Sequence, residues 1–219
     1  MITSILPMAT VQQFQKASLS ELIRELYHQK KSPATSTNYS FLGDDGSIFV
    51  SRSGVDKSQF QPEDFLVVNR QGQPLPDYAQ IKPSAETLIH CFIYEHFPGM
   101  TCVLHTHSVA ATLLSSFFEQ KEAIAFRDYE VIKGIAGQTT HATAIALPIF
   151  ANDQDMVAFC EKLAQRQGEL SNYGFLIAKH GLYAWGETLA IAKRHLEVWE
   201  FMLECELEQL KINPPLASR

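Results

Sequence analysis

The segment VLHTHSV, Val103 to Val109, sets two histidines one residue apart behind a short apolar run. Residues two apart on a helix point nearly opposite ways. On a strand they share a face, with side-chain origins about 6.5 to 7 Å apart at a rise of about 3.3 Å per residue. Only an extended backbone lets both rings reach one ion, and the preceding TCVL is β-prone. The sequence therefore predicts His105 and His107 together at a strand end. A bare H-x-H is more commonly an ordinary hydrogen-bonded pair, so a third donor matters. His180 closes the strand-like GFLIAK and precedes Gly181, which puts it too at a strand end, where ligand sites of sheet proteins tend to lie. Three imidazoles and an open coordination position describe a catalytic zinc site that polarises a carbonyl or hydroxyl oxygen. Iron, cobalt and nickel accept the same donors.

The other histidines fit ordinary roles. His90 and His96 fall within a helical pattern, and His28 and His195 on the polar flanks of helices. His141 lies in the polar loop GQTTHAT, for which a place beside the site is the less favoured reading.

Holding these groups requires a sheet and its covering helices. Leu19, Leu22, Ile23, Leu26 and Tyr27 follow helical spacing, with Ser18 as the expected N-cap. After KKSPATSTN come three β-rich stretches, YSFL, SIFVSR and FLVVN, separated by turn signals and expected to form an antiparallel meander. PSAETLIHCFIYEHF returns to a helix started by Pro83 and Ser84. GMTCVLHTH is a strand, SVAATLLSSFF a helix capped by Ser108, and ATAIALPIF a strand. NDQDMVAFCEKLAQRQG is a helix opened by Asn152 or Asp153 and stopped at Gly168, and GFLIAKHGLYAWG gives two strands meeting at Gly181. The last helix carries Leu189, Ala192, Leu196, Trp199, Leu203, Leu207 and Leu210 and ends before Pro214; its stripe suits a neighbouring subunit as well as its own core. Strands that first cluster and then alternate with helices predict an α/β fold, a mixed sheet with helices on both faces.

The 219 residues, 46% hydrophobic and 19% charged, suffice for one globular domain spanning residues 1–219. A net charge of −6 supplies no basic field for nucleic acid, while a phosphate needs only local donors. Cys91, Cys102, Cys160 and Cys205 form no C-x-x-C pair, which fits small buried side chains in a reducing compartment. The first dozen residues lack a signal pattern, and no stretch approaches the roughly 20 apolar residues of a membrane span, so a cytoplasmic protein is expected. No Walker or dinucleotide glycine pattern is present.

From about Ser18 to Lys211 the chain resembles the class II aldolase/adducin-like family, and within it a dehydratase branch. The resemblance rests on ATSTNYS, SRSGVDKSQFQPEDFLVV, KPSAET, VLHTHS, YEVIKGIAG, LPIFAND and KHGLYAWGET. It implies a three-layer α-β-α sandwich with a central mixed, largely antiparallel sheet, assembled as a homotetramer with sites near subunit boundaries. It also implies one Zn²⁺ per subunit on His105, His107 and His180. Glu130 becomes the catalytic acid/base and Glu86 a carboxylate beside the metal. Phosphate-holding segments fall on Thr35 and Asn38, on Ser53 and Gly54, and on Ser84. Many relatives have glycine where this chain has Thr37; a β-branched residue does not readily take positive φ, so the first phosphate loop is expected to follow a different path.

The implied reaction removes water from 5-methylthioribulose 1-phosphate to give 2,3-diketo-5-methylthiopentyl 1-phosphate, a step of methionine salvage. Metal chelation by the C2 carbonyl and C3 hydroxyl acidifies the C3 hydrogen, and a carboxylate takes that proton and helps the C4 hydroxyl leave. A sugar-phosphate aldolase or epimerase using the same enediolate is the nearest rival. A non-catalytic adducin-like assembly module would have degraded ligands, yet all three histidines are present. Without the resemblance, Glu130 would be a solvated helical carboxylate and Glu86 a favourable charge at a helix start.

Overall fold

Alternation along the strands decides the architecture. The computed structural model describes residues 8–213. Its strands are β1 (Tyr39–Leu42), β2 (Ile48–Ser51), β3 (Phe65–Val68), β4 (Cys102–Thr106), β5 (Ala123–Phe126), β6 (Ile145–Phe150), β7 (Gly174–Ile177) and β8 (Gly181–Gly186). They form one eight-stranded sheet in the order β3-β2-β1-β4-β8-β7-β6-β5. Every neighbouring pair is antiparallel except β6 with β7.

On β4, Cys102 and Leu104 enter one buried cluster and Val103 the other; on β8, Leu182 and Ala184 part in the same way from Tyr183 and Trp185. A period of two with both faces apolar demands cover on both sides. Helices α1 (Met8–His28), α3 (Val109–Phe117) and α5 (Leu189–Ile212) cover one face, and α2 (Thr87–His96) and α4 (Met156–Gln165) the other. The expected three-layer sandwich is therefore the observed one, and the meander of β1 to β3 stands as expected.

Several boundaries differ. Helix α1 runs on N-terminally from Ser18, so Ser18 lies mid-helix and caps nothing. Helix α4 is opened by Asp155, whose carboxylate accepts from the Val157 and Ala158 amides, not by Asn152 or Asp153. It ends at Gln165, and Gly168 falls in a separate 3₁₀ turn. Strand β5, Ala-Ile-Ala-Phe, is short, alternates between buried and more exposed positions, and was not anticipated. The stripe on α5 faces its own core: Ala192, Leu196, Trp199 and Leu203 are buried and Leu189, Leu207 and Leu210 pack against them. Pro214 lies outside the described residues. Among the described residues no helix is long and apolar enough to cross a membrane.

Candidate active site

Strand pairing places the first donor. His105 stands directly across from Tyr183 in the β4–β8 register and stacks on its ring, with centroids 4.0 Å apart and planes 15° from parallel. His107 follows β4 immediately, and its amide donates to the Lys31 carbonyl at 2.8 Å. His180 lies in the turn from β7 to β8, where Lys179 takes φ +58°. Gly181, the first residue of β8, has no room for a side chain: a Cβ there would lie 2.1 Å from the Thr106 carbonyl oxygen and 2.9 Å from His107 Cδ2.

The three rings converge. Nε2 of His105 lies 2.7 Å from Nε2 of His107 and 3.4 Å from Nε2 of His180. His105 Nδ1–H donates to the Leu182 carbonyl at 2.9 Å, so its Nε2 carries a lone pair. Burial, then the neighbouring histidines, hold His105 well below the ordinary imidazole range; burial and His180 hold His107 down at about 4. Ring nitrogens gathered this closely either donate to one another or, with their lone pairs free, share one cation. Their chemistry fits a divalent transition metal.

Glu86 stands against this cluster, at the head of α2. Its Oε1 is 3.1 Å from His180 Nε2 and its Oε2 3.4 Å from His105 Nε2. Oε2 also accepts from Asn38 Nδ2 at 2.6 Å and from the Tyr183 hydroxyl at 2.7 Å. The expected neighbour of the metal is thus in contact with two of the three histidines. Tyr183 was not among the expected residues; its pairing opposite His105 is invisible without the strand register.

A cleft of about 210 Å³ opens beside them, lined by Thr35, Ser36, Thr37, Asn38, Ser53, Ser84, Ala85, Glu86 and His107. It brings together the hydroxyls of the three expected phosphate segments and one metal-site histidine. Gly54 adjoins Ser53 with φ +78°. One sequence reading changes here. Thr37 adopts φ +73° despite its branched side chain, so this loop keeps a backbone of the kind glycine allows. A hydrogen bond from Thr37 Oγ1 to Ser32 Oγ, 3.0 Å, holds it there. Asn38, nearly buried, spends its amide N–H on Glu86.

Glu130 is elsewhere. It begins a 3₁₀ turn, Glu130–Gly134, after the edge strand β5, three strands from β8. Its side chain is 71% exposed and contacts Lys133 and His141. The Lys133 ammonium holds its carboxyl below the usual range. His141 therefore borders Glu130 and not the histidine cluster. The turn is firmly seated. Tyr129 donates to Glu206 at 2.8 Å, and the Ala136 amide donates to His195 Nε2 at 3.1 Å. His195, expected on a polar flank, is buried, with Nδ1–H donating to the Trp185 carbonyl at 2.7 Å. On the opposite side of β4, fully buried Glu200 of α5 accepts from Thr106 Oγ1 at 2.6 Å.

Residues 17–207 match the Class II Aldolase and Adducin N-terminal domain family, and the chain belongs to it. The fold agrees: YgbL of Escherichia coli, a putative aldolase/epimerase/decarboxylase, superposes with a TM-score of 0.76 at 22% identity, covering 93% of each chain. An L-fuculose 1-phosphate aldolase gives 0.73 at 17% identity, covering 92% of this chain and 89% of that one. Within the family, the chain is 76% identical over 212 residues to the methylthioribulose-1-phosphate dehydratase of a Picosynechococcus species, 97% of this chain and all of the relative. It is 44% identical over 193 residues to the protein of that name from Xanthomonas campestris pv. campestris, 88% of each.

Proposed function

We propose that this protein is a methylthioribulose-1-phosphate dehydratase, a lyase that removes water from 5-methylthioribulose 1-phosphate to give 2,3-diketo-5-methylthiopentyl 1-phosphate. The observation that carries the reading is three imidazoles whose ring nitrogens converge beside one carboxylate and a hydroxyl-lined cleft. They occur in a chain 76% identical to a dehydratase of that name over the relative's full length.

His105, His107 and His180 would hold one Zn²⁺ per subunit; another divalent transition metal suits the same donors. When bound, such a cation polarises the C2 carbonyl and C3 hydroxyl and steadies negative charge developing on them. Ser53, Gly54, Ser84, Thr35 and Asn38 line or adjoin the cleft proposed for the phosphate, which hydroxyl and amide donors suit without a net positive charge. Glu86 orients the site from beside the histidines.

Glu130 is the proposed acid/base: it takes the C3 proton and returns it to the C4 hydroxyl, which leaves as water, and the C3 enol left behind tautomerises to the diketone. In one copy it is distant from the histidines, so this role requires a neighbouring copy. The pinned, outward-facing turn suits that arrangement, because an exposed carboxylate is here held on a backbone anchored to α5. We also propose a homotetramer with sites between subunits, and a single domain over residues 1–219 that works in the cytoplasm in methionine salvage.

Incubation with methylthioribulose 1-phosphate tests the assignment. An α-diketone product supports dehydration, and dihydroxyacetone phosphate would instead mark an aldolase.

A further inference from the structure

Behind Glu86 lies a buried chain of polar groups that the proposed chemistry leaves unused. His90, on the second turn of α2, is wholly inaccessible. Its Nδ1 lies 2.7 Å from Ser40 Oγ, which lies 2.6 Å from the Tyr94 hydroxyl. Its Nε2 meets Asn38 Oδ1, and Asn38 Nδ2 meets Glu86 Oε2 at 2.6 Å. Every link but the last, which ends on an accepting carboxylate, joins groups that either donate or accept according to how the chain is polarised.

One end fixes the polarity. A carboxylate oxygen accepts, so Asn38 must present N–H to Glu86 and therefore its carbonyl oxygen to His90. The His90 nitrogen facing that oxygen must carry the proton. Burial pushes His90 down to about 3, so the ring is neutral and bears one N–H. Nδ1 is then a lone pair, filled by the Ser40 hydroxyl, whose oxygen accepts from Tyr94. Reversing the chain would set the Asn38 oxygen against Glu86 Oε2 at 2.6 Å, two acceptors with no proton between them.

We infer that His90 is a positioning residue: as the Nε2–H tautomer it locks the Asn38 amide with its nitrogen toward Glu86. That engages Oε2 together with the Tyr183 hydroxyl and leaves Oε1 as the oxygen turned to His180. The functional consequence rests on the proposed assignment of Glu86 to the metal site. The tautomer does not.

Nitrogen NMR of the imidazoles in metal-free protein tests the first part, with the His90 signals assigned by their loss in His90→Gln. A single Nε2–H form from pH 5 to pH 9 is expected. An Nδ1–H form, or a mixture, would overturn the inference whether or not the protein is a dehydratase.

Two variants test the second part. His90→Gln keeps an N–H that reaches Asn38, and His90→Leu removes it. With equal metal content and matching circular dichroism, the leucine variant should lose roughly ten- to a hundredfold in kcat, the range for a hydrogen bond serving a charged group. The glutamine variant should keep most of it. Equal losses in both folded variants would refute the positioning role. If the leucine variant does not fold, the wild-type tautomer and a glutamine variant within about threefold of wild-type kcat decide the matter. Absence of turnover in the wild type would count against the dehydratase reading alone.

Discussion

Nε2 of His105 and Nε2 of His107 stand 2.7 Å apart, and the Leu182 carbonyl takes the only proton His105 carries. With His180 they form a set of ring nitrogens that one cation could share. Purified protein should therefore contain about one divalent metal per chain by elemental analysis, and His107→Ala should bring that close to zero. Dehydratase turnover should fall by at least about a hundredfold, as expected when a catalytic metal is lost. A variant that keeps a full complement of metal would refute the site.

Gly181→Ala probes the space between the strands. Its Cβ would overlap the Thr106 carbonyl and press on His107 and His105, and backbone has nowhere to move in the sheet centre. Overpacking of this kind costs roughly 1–3 kcal/mol and sometimes more. Chemical denaturation should show a loss in that range, with weakened metal retention against a chelator. Unchanged stability would mean that the turn is looser than described.

Glu130→Gln should lower kcat by about a hundredfold or more, the usual scale for losing a general base, and leave metal content intact. Mixing tests where it acts. Co-expression of Glu130→Gln with His107→Ala copies should restore part of the activity, because some sites would draw good histidines from one chain and a good carboxylate from another. No recovery in confirmed mixed assemblies would remove the neighbouring-copy role.

Glu200 gives a pH dependence with a defined sign. Burial raises its carboxyl above the ordinary range, and Oε2 has no hydrogen-bond partner. A raised acid favours the protonated fold. The stability tied to that proton is fully present below the unfolded value, about 4.3, and is lost as pH rises through the folded value. Glu200→Gln, permanently neutral, should gain thermal stability relative to wild-type metal-free protein between pH 5 and pH 8. A constant difference across that interval would show that Glu200 ionises without cost.

What the sequence made legible was what depends on local period. His105 and His107 could be placed because a two-residue repeat has only one geometry that converges, and the helix stripe on α5 because its spacing is regular over many turns. Contacts made across the sheet were hidden. Tyr183 against His105, and Asn38 against His90 and Glu86, join residues 48 to 78 positions apart in pairs set by strand register or helix seating. Thr37 misled for a different reason. Steric preference makes positive φ costly for a branched residue, but a single hydrogen bond to Ser32 and burial in the loop outweigh it. Glu130 could be recognised only by its motif, since in one chain its surroundings are those of any surface carboxylate.

The donor histidines hang from β4 and from the turn into β8, and both strands have hydrogen-bonded neighbours on either side. Fraying begins at the margins of a sheet, here β3 and β5, and reaches its middle last. An ion held there would leave by ring rotation into the cleft rather than by backbone opening, so its off-rate should be insensitive to mild denaturant that already loosens the sheet's outer strands.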